Sequence, residues 1–433
     1  MEKKLSNKTK ETRRSFIQKG TVAALGAIAF PTIVKSSTLG LNGTVSANNR
    51  LGFGYIGAGG GIMQGHNNTF STQKEVQSLY LCDVDKKKLK RVYDSFNRRG
   101  FKDVKAVEDY EDVINDPAVD AVVVGTPDHW HVAIAIAAMS KGKDVYVEKP
   151  LSLTIEEGKA ITAAEKKYGS IVQVGSQQRS DKNFRRAAEL VRNGYIGEVK
   201  EVYAKLGQFP SPVLENEEPI PAHLNYDKWL GQASYEPYFT NRVKGAYHGG
   251  WRCFWDYGCR KNGDWGAHHF DIIQWALGMD NSGPKRFVPK GYKGEKYAHF
   301  FYENGIKVIR DHPDYNEMIT FIGTEGQITV GRSNRFSTTV PSLNTAKIKP
   351  TEIHLYDSIN HRRNWLDGIY SRKETICPAR VGHRSATICQ LSAIAERLER
   401  PINWDPKAEQ IVGDDEAKRW MSRPRRAGYE LPV

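Results

Sequence analysis

Three side chains of types that can move protons stand in two short stretches of the sequence. Lys149 lies between Glu148 and Pro150, directly after an apolar run. Asp264 and His268 are four residues apart, so on a helix they would share one face. A histidine can take the proton of a hydroxyl group while an ammonium stabilises the negative charge that develops on oxygen. The spacing alone nevertheless favours a plainer interpretation, in which Asp264 caps a helix and His268 is a core histidine.

A glycine-rich turn after the first apolar run could hold a phosphate group. Residues 56–62 read Ile-Gly-Ala-Gly-Gly-Gly-Ile, and glycines there would let a pyrophosphate approach the backbone and a helix N-terminus. Because Ile62 occupies the third glycine position of the usual fingerprint, an ordinary turn stays possible. Asp83 follows after about twenty residues, where a carboxylate would bind a ribose and repel a 2′-phosphate. This favours NAD over NADP, although Asp83 could be a turn residue and Lys86 to Lys88 keep NADP open.

These residues need a scaffold, and the hydropathy pattern up to about residue 172 predicts alternating strands and helices. Such alternation indicates βαβ units and a parallel sheet. We expect strands at 51–56, 76–82, 121–124, 144–147 and 171–174, with helices at 131–141 and 154–168. Later apolar runs predict antiparallel strands at 307–310, 318–322 and 327–330 and a helix at 386–398.

Three longer motifs make the pattern specific. They are Gly-Thr-Pro-Asp-His-Trp-His at 125–131, Val-Tyr-Val-Glu-Lys-Pro at 145–150 and Gly-Asp-Trp-Gly-Ala-His-His-Phe-Asp at 263–271. Together with Trp404-Asp405-Pro406 and the closing stretch through Arg425, they resemble the glucose-fructose oxidoreductase / inositol dehydrogenase / MocA family over residues 50–433. The resemblance implies an α/β fold. It consists of a Rossmann domain at 48–172 and, at 173–433, an α/β domain with an open, mostly antiparallel sheet that often mediates oligomers.

The resemblance also implies a role for each matching residue. Lys149 would lie beside the nicotinamide and bind the reacting hydroxyl, His268 would exchange the proton, and Asp264 would orient the pair. We expect cofactor contacts from Gly57, Gly59, Gly60, Gly61, Asp83, Thr126, Pro127, Trp130, His131, Glu148, Lys149 and Gln177. We expect substrate contacts from Arg179, Trp251, Arg252, Trp255 and His268, and no metal site. The aromatic segment 247–257 is equally compatible with a packed loop core.

Three functions fit these motifs. The first is a nicotinamide-dependent oxidoreductase that acts on a hydroxyl of a carbohydrate or polyol. The second is an NAD-dependent glycosidase that oxidises its sugar only transiently; as that branch tends to lack the lysine, Lys149 favours the first. The third is a sugar-binding protein without catalysis, which the joint presence of Lys149, Asp264 and His268 disfavours. We expect a homo-oligomer, a dimer or tetramer.

Length and charge exclude several other classes. A chain of 433 residues with 39% hydrophobic residues can bury two domain cores, which excludes a small disulfide scaffold. The net charge is +13, but residues 1–47 alone carry eight basic residues against two acidic ones. We therefore expect no nucleic-acid surface on the folded part. The five cysteines are scattered, and only a Cys253–Cys259 pair stays open as a disulfide.

The first 47 residues are expected to direct export. Arg13-Arg14-Ser15-Phe16-Ile17 resembles a twin-arginine signal, and the apolar stretch at 20–34 is too short for a stable membrane span. A frayed basic helix is the plainer alternative. A twin-arginine signal predicts a periplasmic protein that is exported folded, with its cofactor held inside.

Overall fold

The computed structural model describes residues 49–244 and 247–432. The expected export signal at 1–47 lies outside the described residues. Within those two ranges, none of the helices is long and apolar enough to span a bilayer.

The first half of the described chain forms a parallel sheet of six strands in the order β3-β2-β1-β4-β5-β6. Its strands are β1 (Leu51–Ile56), β2 (Val76–Cys82), β3 (Lys105–Val107), β4 (Ala121–Val124), β5 (Asp144–Val147) and β6 (Val172–Val174). The connecting helices are α1 (Gly61–Ser71), α2 (Lys86–Arg98), α3 (Tyr110–Asn115), α4 (His131–Ser140) and α5 (Ile155–Tyr168). Every residue of β4 and β5 is buried, as expected for strands covered by helices on both faces. This confirms the predicted Rossmann topology.

Local signals explain where these elements begin and end. Helix α5 starts at a capping box in which Thr154 and Glu157 satisfy each other's backbone amides, and it stops at Gly169 with φ +66°. Strand β3 was not predicted, because its three residues carry only a weak apolar pattern. As β6 pairs with β5, residues up to 174 belong to the first sheet, two residues beyond the domain boundary predicted at 172.

The second sheet has nine strands within the described ranges, in the order β13-β12-β11-β7-β10-β9-β8-β14-β15. They are β7 (Val199–Ala204), β8 (Arg286–Val288), β9 (His299–Phe301), β10 (Lys307–Arg310), β11 (Ile319–Gly323), β12 (Gln327–Gly331), β13 (Arg335–Thr338), β14 (Ile402–Asp405) and β15 (Gln410–Ile411). All neighbouring strands are antiparallel except β7 and β10. The expected open, mostly antiparallel sheet is confirmed.

The later helices are α6 (Lys182–Arg192), α7 (Tyr226–Leu230), α8 (Thr240–Val243), α9 (Ala267–Leu277), α10 (His361–Ser371), α11 (Ala379–Leu398) and α12 (Asp415–Lys418). Helix α9 packs between α6 and α11, so it is buried along almost its whole length. Helix α11 begins seven residues before the predicted 386, because its first two turns are buried against α5 and β6 and lack an amphipathic pattern.

The chain returns to its first domain after the second sheet has begun. Trp365 on α10 is fully buried beside Phe53, Phe70 and Tyr146, with ring centroids 5.4–5.6 Å apart. Its indole nitrogen donates to the carbonyl of Ile171 at 3.1 Å. The core of the Rossmann domain is thus completed by residues nearly 200 positions later in the chain.

Candidate active site

A cavity of about 780 Å³ lies over the carboxyl ends of β1, β2 and β4. The glycine turn forms one wall, and Gly57 adopts φ +76°, which favours glycine. A Cβ on Gly59 would stand 2.4 Å from the Cβ of Lys88 and 2.8 Å from Asp83 Oδ2, so only glycine fits there. The start of α1 has no side-chain cap, and Gly61 lines the cavity. Such a helix N-terminus suits a phosphate, and the cavity beside the glycine turn therefore fits a dinucleotide.

Asp83 stands where a ribose would be expected. Its carboxylate accepts hydrogen bonds from the backbone amides of Gly59 at 2.8 Å and Asp85 at 2.9 Å. Thr126 also borders the cavity, and its buried hydroxyl has no hydrogen-bond partner among the described residues. The cavity brings together eight of the predicted cofactor residues, namely Gly57, Gly59, Gly60, Gly61, Asp83, Thr126, Pro127 and Trp130.

A second, smaller cavity of about 210 Å³ adjoins the first and shares Ile62, Thr126, Tyr247 and Arg252 with it. We call it the reaction pocket. The remaining predicted cofactor residues, His131, Glu148, Lys149 and Gln177, line this pocket instead. All three predicted catalytic residues, Lys149, Asp264 and His268, also line it.

An ion-pair cluster occupies the centre of the reaction pocket. The ammonium of Lys149 donates to Asp264 Oδ1 at 2.7 Å and to the Asp264 carbonyl at 3.1 Å. Arg252 donates to the same carboxylate oxygen at 2.8 Å. Burial alone would raise the pKa of the Asp264 carboxyl, but Lys149 and Arg252 outweigh burial and hold that pKa below its ordinary value. Asp264 is therefore a carboxylate that fixes both cations.

The backbone before α9 differs from the single α-helix expected there. Residues Asn262–Gly266 form one π-helical turn that runs directly into α9. Asp264 lies on this turn and His268 in the first turn of α9, and both face the reaction pocket. No hydrogen bond joins the two side chains within the described structure, and His268 Nδ1 has no partner there. Asp264 thus positions Lys149 rather than His268.

His268 is held in its neutral form. Burial is the largest influence on its imidazole and, with the charges of Lys149 and Arg332, lowers its pKa well below the ordinary value. The ring is therefore neutral at pH 7 and can accept a proton. The neighbouring His269 lies outside the reaction pocket, and burial lowers its pKa to about 3.

Hydrogen bonds from two neighbouring side chains hold the Glu148 carboxylate in place. His66 Nε2 donates to Glu148 Oε1 at 2.7 Å, because Arg362 donates to the other ring nitrogen at 2.9 Å. Gln177 donates to the same carboxylate oxygen at 3.2 Å. The ring nitrogens of His131 lie 2.8 Å from the Pro150 carbonyl and 3.0 Å from the Thr126 carbonyl. These contacts hold the segment around Lys149 in place.

The structure does not bring every predicted substrate residue to the pocket. Arg179 is buried and pairs with Asp271 and Asp280, both at 2.7 Å, so its guanidinium is used in the core. Trp255 lines a separate cavity under the guanidinium of Arg423. Trp251 borders the cofactor cavity, and only Arg252 and His268 line the reaction pocket.

The aromatic segment 247–257 divides between the two expected interpretations. Phe254 and Tyr257 belong to a buried cluster, whereas Tyr247 and Arg252 line the reaction pocket. Cys253 and Cys259 are buried within the described ranges, and no disulfide joins them.

Two charged residues of the reaction pocket were not among the predicted site residues. Asp128 follows β4, and both its carboxylate oxygens are buried without a hydrogen-bond partner among the described residues. Its place inside the 125–131 motif could have signalled it. Arg332 stands between β12 and β13, where nothing in the local sequence points to a pocket.

Two family models match this chain. "Oxidoreductase family, NAD-binding Rossmann fold" matches residues 51–176, and "Oxidoreductase family, C-terminal alpha/beta domain" matches residues 213–431. The second alone covers just over half of the 433 residues. The models thus cover most of both sheets and every residue that lines the reaction pocket except Gln177.

Individual relatives match over shorter stretches. The chain is 41% identical over 98 residues to the scyllo-inositol 2-dehydrogenase (NAD(+)) of Bacillus subtilis, which is 23% of this chain and 28% of the relative. It is 29% identical over 136 residues to the inositol 2-dehydrogenase of Salmonella typhimurium, which is 31% of this chain and 39% of the relative. The chain thus spans well under half of these relatives' length.

Solved structures match over most of the fold. The aldose-aldose oxidoreductase of Caulobacter crescentus, crystallised with glycerol, has a TM-score of 0.56 at 18% identity, over 82% of this chain and 99% of that one. A putative myo-inositol dehydrogenase of Sinorhizobium meliloti 1021 has a TM-score of 0.52 at 15% identity, over 82% and 99% of the two chains. At such identities these likenesses concern the fold alone. On the strength of the two family models, the chain belongs to the glucose-fructose oxidoreductase / inositol dehydrogenase / MocA family of NAD-binding oxidoreductases.

Proposed function

We propose that this protein oxidises a hydroxyl group of a carbohydrate or polyol with a nicotinamide cofactor. One observation carries the proposal: Lys149, Asp264 and the neutral His268 line a pocket that adjoins a dinucleotide-sized cavity. The matches to an inositol and a scyllo-inositol dehydrogenase support a polyhydroxylated substrate.

The pocket residues divide the chemistry between them. A bound nicotinamide would accept the hydride from the substrate carbon. Neutral His268 takes the hydroxyl proton, and the ammonium of Lys149 stabilises the negative charge on the oxygen until the carbonyl has formed. Asp264 holds that ammonium through the 2.7 Å contact. The reverse reaction returns the proton from His268 to the carbonyl oxygen.

We further propose that the cofactor is NAD. Asp83 stands at the end of β2, where its carboxylate would bind a ribose diol and repel a 2′-phosphate. Since the relatives include both NAD and NADP enzymes, the preference needs its own measurement. We expect Asp83→Ser to improve kcat/KM with NADP relative to NAD by about tenfold, because one charge repulsion is removed. An unchanged ratio would contradict this assignment of Asp83.

Export to the periplasm and assembly into a homo-oligomer are also proposals. The Arg13-Arg14 motif supports twin-arginine export in the folded state. As free NAD should be scarce outside the cytoplasm, the cofactor would be held tightly and carried inside the protein. Denaturing the purified protein should release about one nucleotide per chain, and finding none would count against this. Light scattering would give the oligomer size.

A panel of sugars, polyols and glycosides tests the central proposal. Reduced-nicotinamide absorbance is followed with and without added NAD or NADP. A steady rise with added cofactor would establish a dehydrogenase, and a rise limited to one equivalent of protein would indicate a bound cofactor that awaits a second substrate. Consumption of a glycoside without any rise would indicate the glycosidase alternative. No turnover of any compound would favour a sugar-binding protein.

A further inference from the structure

The reaction pocket contains a cation, Arg332, that makes no ion pair with the carboxylates of the pocket. Arg332 stands at the tip of the hairpin between β12 and β13, followed by Ser333 and Asn334 with φ +60° and +61°. These two left-handed residues turn the chain sharply, and the Arg332 guanidinium lies 5.0 Å from the centre of the Trp265 ring. In this position Arg332 lines the pocket together with Lys149 and His268.

Most of the other charged groups of the pocket have partners. Asp128 is the exception: both its carboxylate oxygens lack a hydrogen-bond partner among the described residues, and burial raises the pKa of that carboxyl, which favours its neutral form. Asp264 is paired with Lys149 and Arg252, and Glu148 is paired with His66. The Arg332 guanidinium makes no ion pair or hydrogen bond with any residue of the described ranges. Asp264 and Asp181 attract it from beyond ion-pair distance. Burial lowers the pKa of the Arg332 guanidinium, which reflects the cost of keeping this cation partly away from water. An anion from outside the chain would remove that cost.

We infer that the substrate carries a carboxylate, as a sugar acid does, and that Arg332 binds it. This inference rests on the proposed function and names the substrate class more narrowly. A guanidinium presents a planar pair of donors that matches the two oxygens of a carboxylate. The pocket volume of about 210 Å³ lies below the range of about 300–1,000 Å³ for drug-sized ligands, so a single sugar unit fits it best. Exchanging a CH₂OH group for a carboxylate adds almost no bulk, whereas a phosphate ester does.

The two anchor points come from different parts of the fold. Lys149 follows β5 of the first sheet, and Arg332 follows β12 of the second. A sugar acid held by both would present its reacting hydroxyl to Lys149 and His268 while its carboxylate lies against Arg332. Arg332 is thus a specificity residue that takes no part in hydride or proton transfer.

Matched substrate pairs test the inference. Glucuronate and galacturonate are compared with their uncharged amides and with glucose 6-phosphate, in the wild type and in R332Q and R332K. We expect the wild type to prefer the acids over the amides by about 10- to 100-fold in kcat/KM, the usual effect of a charge-assisted hydrogen bond. R332Q should lose this preference mainly through KM, and R332K should retain part of it. R335Q is the matched control, because Arg335 is an exposed arginine on the same hairpin and pairs only with Glu317.

The outcomes separate this inference from the proposed function. Equal turnover of acids and amides by the wild type, or an acid preference unchanged in R332Q, would overturn the inference while a dehydrogenase stands. A preference for the phosphate would replace the carboxylate with a phosphate ester as the bound anion and also overturn it. Calorimetric titration of the cofactor-loaded protein needs no turnover. If the acids bind, R332Q abolishes that binding and no compound is oxidised, the result supports the anion site and contradicts the proposed oxidation.

Discussion

Replacing Lys149 by methionine removes the ammonium from the reaction pocket while keeping most of the side chain's volume. The Lys149 side chain is only 12% exposed and that of its partner Asp264 only 3%, so solvent screens this charge weakly. Asp264 keeps its 2.8 Å contact with Arg252 and is not left as an unpaired buried carboxylate. We therefore expect the K149M variant to fold and to lose catalysis.

The size of the loss follows from the geometry. An ammonium about 2.8 Å from an oxygen with about half a negative charge stabilises it by about 3 kcal/mol at an effective dielectric constant of about 20. That energy corresponds to about a 10²-fold decrease in kcat, and general acid–base groups contribute about 10²–10⁴-fold. The loss of a charge-assisted hydrogen bond should lower the free energy of unfolding by about 1–3 kcal/mol.

The assay compares kcat for the best sugar of the panel at saturating cofactor, with the sugar deuterated at the reacting carbon to report hydride transfer. Binding of reduced cofactor, followed by fluorescence, should change less than about threefold, because the glycine turn is untouched. Lys141→Met, at an exposed lysine after α4, is the matched control and should keep full activity. A K149M variant that folds and retains kcat within about threefold of the wild type would refute the role given to this ammonium.

Three further predictions concern cofactor binding at the glycine turn, the stability of the core and the pH dependence of that stability. Gly59→Ala should weaken cofactor binding by at least about tenfold in a fluorescence titration, because the new methyl would stand 2.4 Å from the Cβ of Lys88; unchanged binding would contradict the tight fit. Arg179→Met should lower the free energy of unfolding by about 3–5 kcal/mol, because the buried Asp271 carboxylate loses its ion-pair partner and keeps only the hydrogen bond from Ser385. A large rise in KM without loss of stability would instead place Arg179 at the substrate site. Burial lowers the pKa of His129 to about 3, against about 6.5 when unfolded, so its contribution to stability is full above pH 6.5 and decreases as the pH falls toward 3. His129 should lower the free energy of unfolding by up to about 1.4 kcal/mol for each pH unit in this range. Urea midpoints that do not change between pH 7 and 5 would contradict this reasoning.

Local sequence signals predicted most of the residues that meet at the larger cavity. The glycine turn, Asp83 and the 125–131 motif each follow a strand, and the carboxyl ends of parallel strands meet at one edge of the sheet. The type of each side chain was therefore enough to place it on the cavity wall. The same signals did not separate the two cavities, because His131 and Gln177, which we expected to contact the cofactor, line the neighbouring pocket.

The residues predicted to contact the substrate could not be placed in the same way. Arg179 and Arg252 both lie in short 3₁₀ helices, yet Arg179 pairs with Asp271 and Asp280 whereas Arg252 pairs with Asp264. Their sequence environments do not reveal these partners, which are 12 to 101 residues away. An arginine's role depends on which carboxylate it meets, and that is a property of packing.

Short stretches of the sequence were enough to predict the class of fold and the family, because strand periodicity, turn glycines and short motifs depend on neighbouring residues. The roles that we propose for Lys149 and His268 come from the same motifs. Two placements could be seen only in the tertiary structure: Arg332 lines the reaction pocket, and Trp365 completes the core of the Rossmann domain. The same is true of the contact between Lys149 and Asp264, which lies on a π-helical turn. These placements depend on how the two sheets and the returning helices pack. The free energy of that packing is a sum over many long-range contacts, and no short stretch of sequence encodes it.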